Sequence, residues 1–464
     1  MALRSSIEPV AWPAVQTGTA ATLMALQQQF GESQWWPREK LRAAQFDQLR
    51  LLVANVLRNV PFYVDHLAKA GIKPGTPLTE AMWANVPVLT REDVRDHGEK
   101  LHALSTPPAH GGYTVSTTGG STGIPVRVRK SELASLMWDA VNIREELWHR
   151  DDPGGVLARI ATTPSDLSPE QRAAANSPKG LVLPDWGSPT NQIWRTGRLG
   201  MMDYGQPIPI QVEFLLRMQP HYIYTTPSSL RLLISHFRER ELRLPSLKSV
   251  WTRSEVVDTT LREACREVLG CRIVHNYSSA ETGYIALQCP EGTHFHTQDE
   301  TVLVEVLNAA GHVCDPGEVG RVVLTPLHNF SMPLLRYEIG DDAEVGGPCS
   351  CGRGLSVLTQ IMGRTSDQLV LPSGLRRKVH LNHYRLSGIL AIREFQFTQR
   401  SLEKVELMLV VARSLNDAEM EQVRGLTRTS FGTDFQVDIT FHASLPRTAA
   451  GKLRPFISDL PQAG

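Results

Sequence analysis

The run Ser116-Thr117-Thr118-Gly119-Gly120-Ser121-Thr122-Gly123-Ile124-Pro125 sets three glycines among five hydroxyl side chains. Glycine lets the backbone turn with positive φ and approach a ligand closely, and the freed amides with the hydroxyls are donors matched to phosphate oxygens. Thr118, Gly119, Gly120, Ser121, Thr122 and Gly123 therefore read as a phosphate-gripping loop. It is not a Walker A loop, because no Lys-Ser/Thr pair follows the glycines, and no G-x-G-x-x-G opens a helix here. A second cluster is built on sulfur. Cys289, His296, Cys349 and Cys351 offer three thiolates and one imidazole, the ligand set of a closed tetrahedral zinc. His294 competes with His296 for the imidazole place, and Cys314 with the other thiols. Four filled positions leave none for water, so the metal is assigned a structural role only.

These residues need a scaffold, and the rest of the chain supplies its pattern. From Pro37 to Leu67 the apolar positions Leu41, Leu49, Leu52, Val53, Val56 and Leu57 recur at three- and four-residue spacing, which predicts helix with one buried face. Between about Tyr113 and Gln288, short apolar runs such as Tyr222-Ile223-Tyr224 alternate with helical stretches such as Pro227 to Arg240, the pattern of an α/β layer with a mixed sheet. The runs Val302–Leu307 and Arg321–Thr325 flank Asn308-Ala309-Ala310-Gly311 and Asp315-Pro316-Gly317, which are turn chemistry, and predict a hairpin or small barrel. After Gly363-Arg364 come short strands, Glu394–Thr398 and Val405–Val411. A helix follows, where Asn416 and Glu419 form a capping-box pattern ahead of Met420, Val423 and Leu426.

The fold class expected is α/β: a large N-terminal domain over 1–364 and a small α+β C-terminal domain over 365–464. With 464 residues the chain has room for both domains. Its 48 Lys+Arg balance 48 Asp+Glu, which argues against nucleic acid or anionic lipid as a partner. No stretch approaches the ~18 apolar residues that span a bilayer, and the first residues do not read as a signal peptide. Six cysteines in so long a chain do not form a secreted disulfide framework, so a cytoplasmic protein is expected.

Four more strings follow the glycine loop in fixed order: Tyr277-Ser278-Ser279-Ala280-Glu281, Arg336-Tyr337-Glu338-Ile339-Gly340-Asp341, Gly363-Arg364-Thr365-Ser366-Asp367 and Leu445-Pro446-Arg447-Thr448-Ala449-Ala450-Gly451-Lys452. In this order and at these distances they resemble the core motifs of the adenylate-forming superfamily of acyl-CoA synthetases, luciferases and peptide-synthetase adenylation domains. Tyr277–Glu281, Gln288-Cys289-Pro290 and the run from Pro348 to Leu355 are similar to its phenylacetate-CoA ligase-like branch. The likeness runs from about Leu51 to Arg454.

That resemblance implies a fold with a small, mobile C-terminal domain and an activity in which ATP adenylates a carboxylic acid before a thiol takes the acyl group. It implies that Ser121 and Thr122 hold the outgoing pyrophosphate, that Glu281 holds Mg²⁺, and that Tyr277, with Ser278 and Ser279 beside it, lies against adenine. Asp341 and Arg364 would flank the ribose. Lys452 would stabilise charge on the α-phosphate, and Ser366 stands at the hinge, where many relatives carry Asp or Lys. The default substrates are an aromatic or arylacetic acid and coenzyme A, with the acid pocket near Tyr224 to Ser229 and Trp251 to Glu255. An adenylating enzyme that loads a carrier protein or an amine is the first rival, and a non-catalytic nucleotide-binding relative the second. Relatives are often homodimers, although no interface stripe is visible in the sequence.

Overall fold

The computed structural model describes residues 2–117, 126–364, 368–373, 376–378, 386, 389, 391–431, 435–446, 453 and 456–460. The helix predicted over 37–67 is two helices, Arg38–Asn59 and Pro61–Ala68. Pro61 disfavours helical geometry in the residue before it, and Val60 accordingly sits at φ −125°, ψ 103°. A further helix, Gly18–Ser33, precedes them. It buries only Ala20, Leu23, Phe30 and Ser33, too sparse an apolar stripe to read from sequence.

A hairpin of β1 (Tyr113–Thr117) and β2 (Arg127–Ser131) leads into the long helix Glu132–His149, whose N-cap Ser131 accepts from the Ala134 amide at 3.2 Å. The principal sheet begins with β3 (Leu157–Ala161), β4 (Leu181–Leu183), β5 (Leu199–Asp203), β6 (Tyr222–Thr225), β7 (Ser249–Thr252) and β8 (Arg272–Ser279). Strands β5, β3, β6, β7 and β8 run parallel, in that spatial order. Their alternate residues Ala158, Ile160, Ile223, Val250 and Ile273 meet helices Ile208–Met218, Pro227–Glu239 and Thr259–Leu269 in one core. The opposite face carries Leu157, Leu199, Met201 and Tyr222 with Trp186. Burial on both faces is what crossover helices require of parallel strands.

The sheet continues antiparallel through β9 (Gly283–Gln288), β10 (Phe295–Thr297), β11 (Val302–Leu307), β12 (Val319–Pro326), β13 (Tyr337–Gly346) and β14 (Val357–Arg364). The predicted hairpin forms in register, Val302 opposite Pro326 and Leu307 opposite Arg321, at the edge of the sheet. Beyond it lie a short pair, β15 (Gln368–Val370) with β16 (Arg376–Lys378), and then β17 (Ile392–Gln399), β18 (Lys404–Val411), β19 (Gln436–Phe441) and β20 (Phe456–Ser458). These last four form a separate sheet in the order β19-β18-β17-β20, covered by helix Asp417–Phe431 around its own core of Phe397, Leu407, Val423 and Phe431. The capping box closes as predicted: Asn416 Oδ1 accepts from the Glu419 amide and Glu419 Oε2 from the Asn416 amide, both at 2.9 Å. Among the described residues no helix is long and apolar enough to cross a membrane.

Candidate active site

Parallel strands expose their carboxyl ends at one edge, where open α/β sheets bind ligands. Tyr277, Ser278 and Ser279 end β8 at that edge, and the turn into β9 carries Glu281. Ser279 Oγ accepts from the Thr282 amide at 3.0 Å, and Gly283, at φ +96°, reverses the chain against Trp138. The Tyr277 hydroxyl donates to Asp341 Oδ2 at 2.8 Å, and both side chains are buried. Asp341 lies in β13 directly opposite Arg364 in the β14 ladder, so the two residues assigned to the ribose are cross-strand neighbours in backbone position. Gly340, at φ +81°, lets β13 bend just before Asp341.

Glu281 is 4 % exposed and meets Arg91 Nη1 at 3.2 Å. Arg91 begins helix Arg91–His97, where Thr90 and Asp93 complete a capping box. That helix start is tied to β13: the Leu89 amide donates to the Arg336 carbonyl and the Glu338 amide to the Leu89 carbonyl, both at 2.9 Å. Arg336 itself is buried against Glu305 at 3.2 Å and donates to the Ala84 and Val86 carbonyls at 2.7 and 2.6 Å. In the Arg336–Asp341 string the arginine is therefore a brace and the aspartate the polar group at the open end.

A cavity of about 40 Å³ borders Glu281, lined among others by Lys130, Trp138, Tyr284, His328 and Asn329. The Lys130 ammonium sits 4.6 Å from the Trp138 ring, and burial pushes it down to about 8 although Glu281 opposes the shift. Arg91 and Lys130 were not singled out from the sequence. Two signals were available. A cation at the first position of a helix runs against the helix dipole, and Lys130 shares the strand face of buried Val128.

Thr118 to Gly123, Ser366 and Lys452 lie outside the described residues. The two segments expected to line the acid pocket do meet, with Glu255 accepting from both the amide and the hydroxyl of Ser228 at 2.9 Å.

At the other end of β9 and β10, the ligand atoms of Cys289, His296, Cys349 and Cys351 all lie within 4.8 Å of one another. Cys289 Sγ is 3.9 Å from Cys349 Sγ, and Cys351 Sγ is 3.3 Å from His296 Nε2. A tetrahedral zinc with ordinary Zn–S and Zn–N bonds sets its ligands about 3.5–3.8 Å apart, so these four residues fit the ion. His294 Nε2 instead approaches Cys349 Sγ from outside the set, at 3.0 Å, and Cys314 is buried in a different core. The Cys349–Leu355 loop docks on the N-terminal helices: Arg353 lies over the Trp35 and Trp148 rings and donates to Gln34 Oε1 at 2.9 Å. A Cβ on Gly354 would collide with the Trp36 carbonyl.

Comparison with known proteins places this geometry in context. Residues 377–459 match the model of the CapK C-terminal domain. The chain is 26 % identical to phenylacetate-coenzyme A ligase of Thermus thermophilus, covering 90 % of this chain and 96 % of that one. It is 21 % identical to protein CapK of Staphylococcus aureus, over 87 % of this chain and 86 % of that one. In fold it is similar to 2-hydroxyisobutyryl-CoA ligase in complex with an acyl-AMP, with a TM-score of 0.70, 19 % identity and 92 % of each chain covered.

Proposed function

We propose that the chain, which is similar to phenylacetate-CoA ligases over most of its length and shares the fold of an adenylate-forming ligase, is an ATP-dependent, AMP-forming ligase that activates a carboxylic acid and passes the acyl group to a thiol, coenzyme A by default. The observation that carries this reading is the meeting of Tyr277 and Asp341 beside buried Glu281 at the carboxyl end of the parallel strands. A carboxylate with two oxygens suits a ribose diol, an adjacent tyrosine ring suits a purine, and a buried carboxylate suits a hard cation. Mg²⁺ held by Glu281 would supply positive charge to the phosphate oxygens.

In the first step a substrate carboxylate oxygen attacks the α-phosphorus of ATP, the bond to the β-phosphate bridging oxygen breaks, and pyrophosphate leaves. Ser121 and Thr122 grip that pyrophosphate. Lys452 stabilises the charge that builds on the α-phosphate oxygens, an effect far larger in a dry site than in water. In the second step the thiol sulfur attacks the acyl carbonyl, its proton is lost and AMP departs. The residues divide at 364/365, with Ser366 as the pivot that exchanges Lys452 for the thiol-binding face. An aromatic or arylacetic acid is the default substrate, in line with the named activity of the curated relatives. The zinc of Cys289, His296, Cys349 and Cys351 would serve as a clamp on the Cys349–Leu355 loop. Six free thiols and a need for ATP fit a cytoplasmic enzyme.

A second reading keeps the first half-reaction and passes the adenylate to a carrier-protein thiol or an amine. ATP–pyrophosphate exchange over a panel of acids, followed by addition of CoA, tests both. Exchange with one class of acid and thioester formation with CoA are expected, and Lys452→Ala should lose exchange while still binding ATP. Full exchange in Lys452→Ala would remove the lysine from the mechanism, and exchange without thioester would select the second reading.

A further inference from the structure

Beside the nucleotide end of the sheet stand two cations that this chemistry does not use. Arg159 of β3 is the cross-strand partner of Tyr224 in β6, and Tyr224 that of Trp251 in β7, two residues before Arg253. Both guanidinium groups converge on one ring: Arg253 Cζ lies 4.6 Å and Arg159 Cζ 5.7 Å from the centre of Tyr224. Neither donates a hydrogen bond or forms an ion pair among the described residues. The charges that reach Arg159 are those of Arg253, which repels it, and of Asp166, while Glu145 feels Arg253 from beyond ion-pair distance.

The buried arginines among the described residues are each held by a carboxylate. Arg144 is held by Glu300, Gln298 and the Phe30 carbonyl, Arg336 by Glu305 and the Ala84 and Val86 carbonyls, and Arg231 by Asp258. A guanidinium offers five donors in a fork matched to carboxylate or phosphate. Two such half-buried forks beside one ring, neither held by a carboxylate among the described residues, make a site suited to an anion.

The place is right for substrate. Glu145, next to Arg253, accepts from Asn276, the residue before Tyr277. One turn earlier on the same helix Asn142 accepts from Tyr284, whose ring packs on Trp138 at the Glu281 cavity. The loop after β7 returns to the nucleotide side, where Val256 abuts Gly363 beside Arg364. Between the cations and the core, Trp251 stacks on Tyr222 and packs against Trp186, giving an aromatic floor with a cationic rim.

We infer that Arg159 and Arg253 recognise a second anionic group on the acid being activated, so that the substrate is a dicarboxylic acid, or an acid bearing a comparable anion, with an apolar body that lies on Tyr224 and Trp251. This rests on the proposed adenylation. It is tested by pyrophosphate exchange without thiol, using matched pairs such as phenylacetate with carboxyphenylacetate and butyrate with succinate. The wild-type kcat/KM should favour the diacid of a pair at least tenfold. Arg253→Gln and Arg159→Gln should cut diacid exchange by about tenfold or more and leave monoacid exchange within about twofold, with partial recovery in Arg253→Lys. Equal loss for both acids would assign the arginines to the reacting carboxylate or to folding, and loss confined to a later thiol step would assign them to the acceptor. Either result overturns the inference, as does wild-type preference for monoacids. If no acid supports exchange, the adenylation reading falls, and thermal shift by the diacids alone decides the anion site. Stabilisation abolished in both glutamine variants retains it, and no stabilisation of the wild type removes it.

Discussion

Tyr277 illustrates how much one side chain can be asked to do. In the proposed function its ring would lie against adenine, while its hydroxyl donates to the Asp341 carboxylate that would meet the ribose. Tyr277→Phe deletes only the second task. A single hydrogen bond to a charged group contributes about 1.5–3 kcal/mol, so the KM for ATP should rise roughly tenfold with kcat little changed, as read from initial rates against ATP. An unchanged KM would mean that Asp341 keeps its orientation unaided. At this scale the sequence was informative where residues of one task sit in one string, as at Tyr277–Glu281. It was silent where the task is shared across the chain: Arg91 meets Glu281 190 residues away, and nothing local to either names the other. Arg159 and Arg253 were hidden for the same reason, because only the parallel register of β3, β6 and β7 sets them around one ring.

Among the elements, the Cys349–Leu355 loop depends on a cluster whose four ligand atoms come from three separate stretches of chain. Cys349→Ser with Cys351→Ser should reduce bound zinc from about one per chain to none, as measured by elemental analysis, and lower the melting temperature. Metal-free wild-type protein with the same melting temperature would remove the ion. The helices and strands were legible wherever their apolar spacing is dense, as in Arg38–Asn59 and β11–β12. They were missed where burial is sparse, as in Gly18–Ser33, or where one proline divides a continuous stripe, as at Pro61.

The whole molecule pays a pH-dependent penalty at the end of its long helix. Glu146 is buried, accepts from Thr190 at 2.6 Å, and is raised from 4.5 to about 8, chiefly by burial and further by Asp151 and Glu145. The unfolded chain releases this proton near pH 4.5 and the folded one keeps it to about 8, so stability is fullest below 4.5 and declines as pH rises through that window. Glu146→Gln removes the titration and keeps an acceptor for Thr190. Its melting temperature should exceed that of the wild type by a few degrees at about pH 8 and approach it at about pH 5; parallel curves for the two proteins would place the pH dependence elsewhere.

The bond from Arg353 to Gln34 joins residues 319 apart. At ribosomal rates of about 5–20 residues per second, the partner of Gln34 is synthesised roughly 15–65 s after it. Until then Trp35 and, once made, Trp148 have no Arg353 to lie over them, and the Trp36 carbonyl has no Gly354 against it. The seam between the first helices and the Cys349–Leu355 loop therefore closes late in synthesis, and a nascent chain stalled before residue 349 leaves the surface that receives the loop open to chaperones.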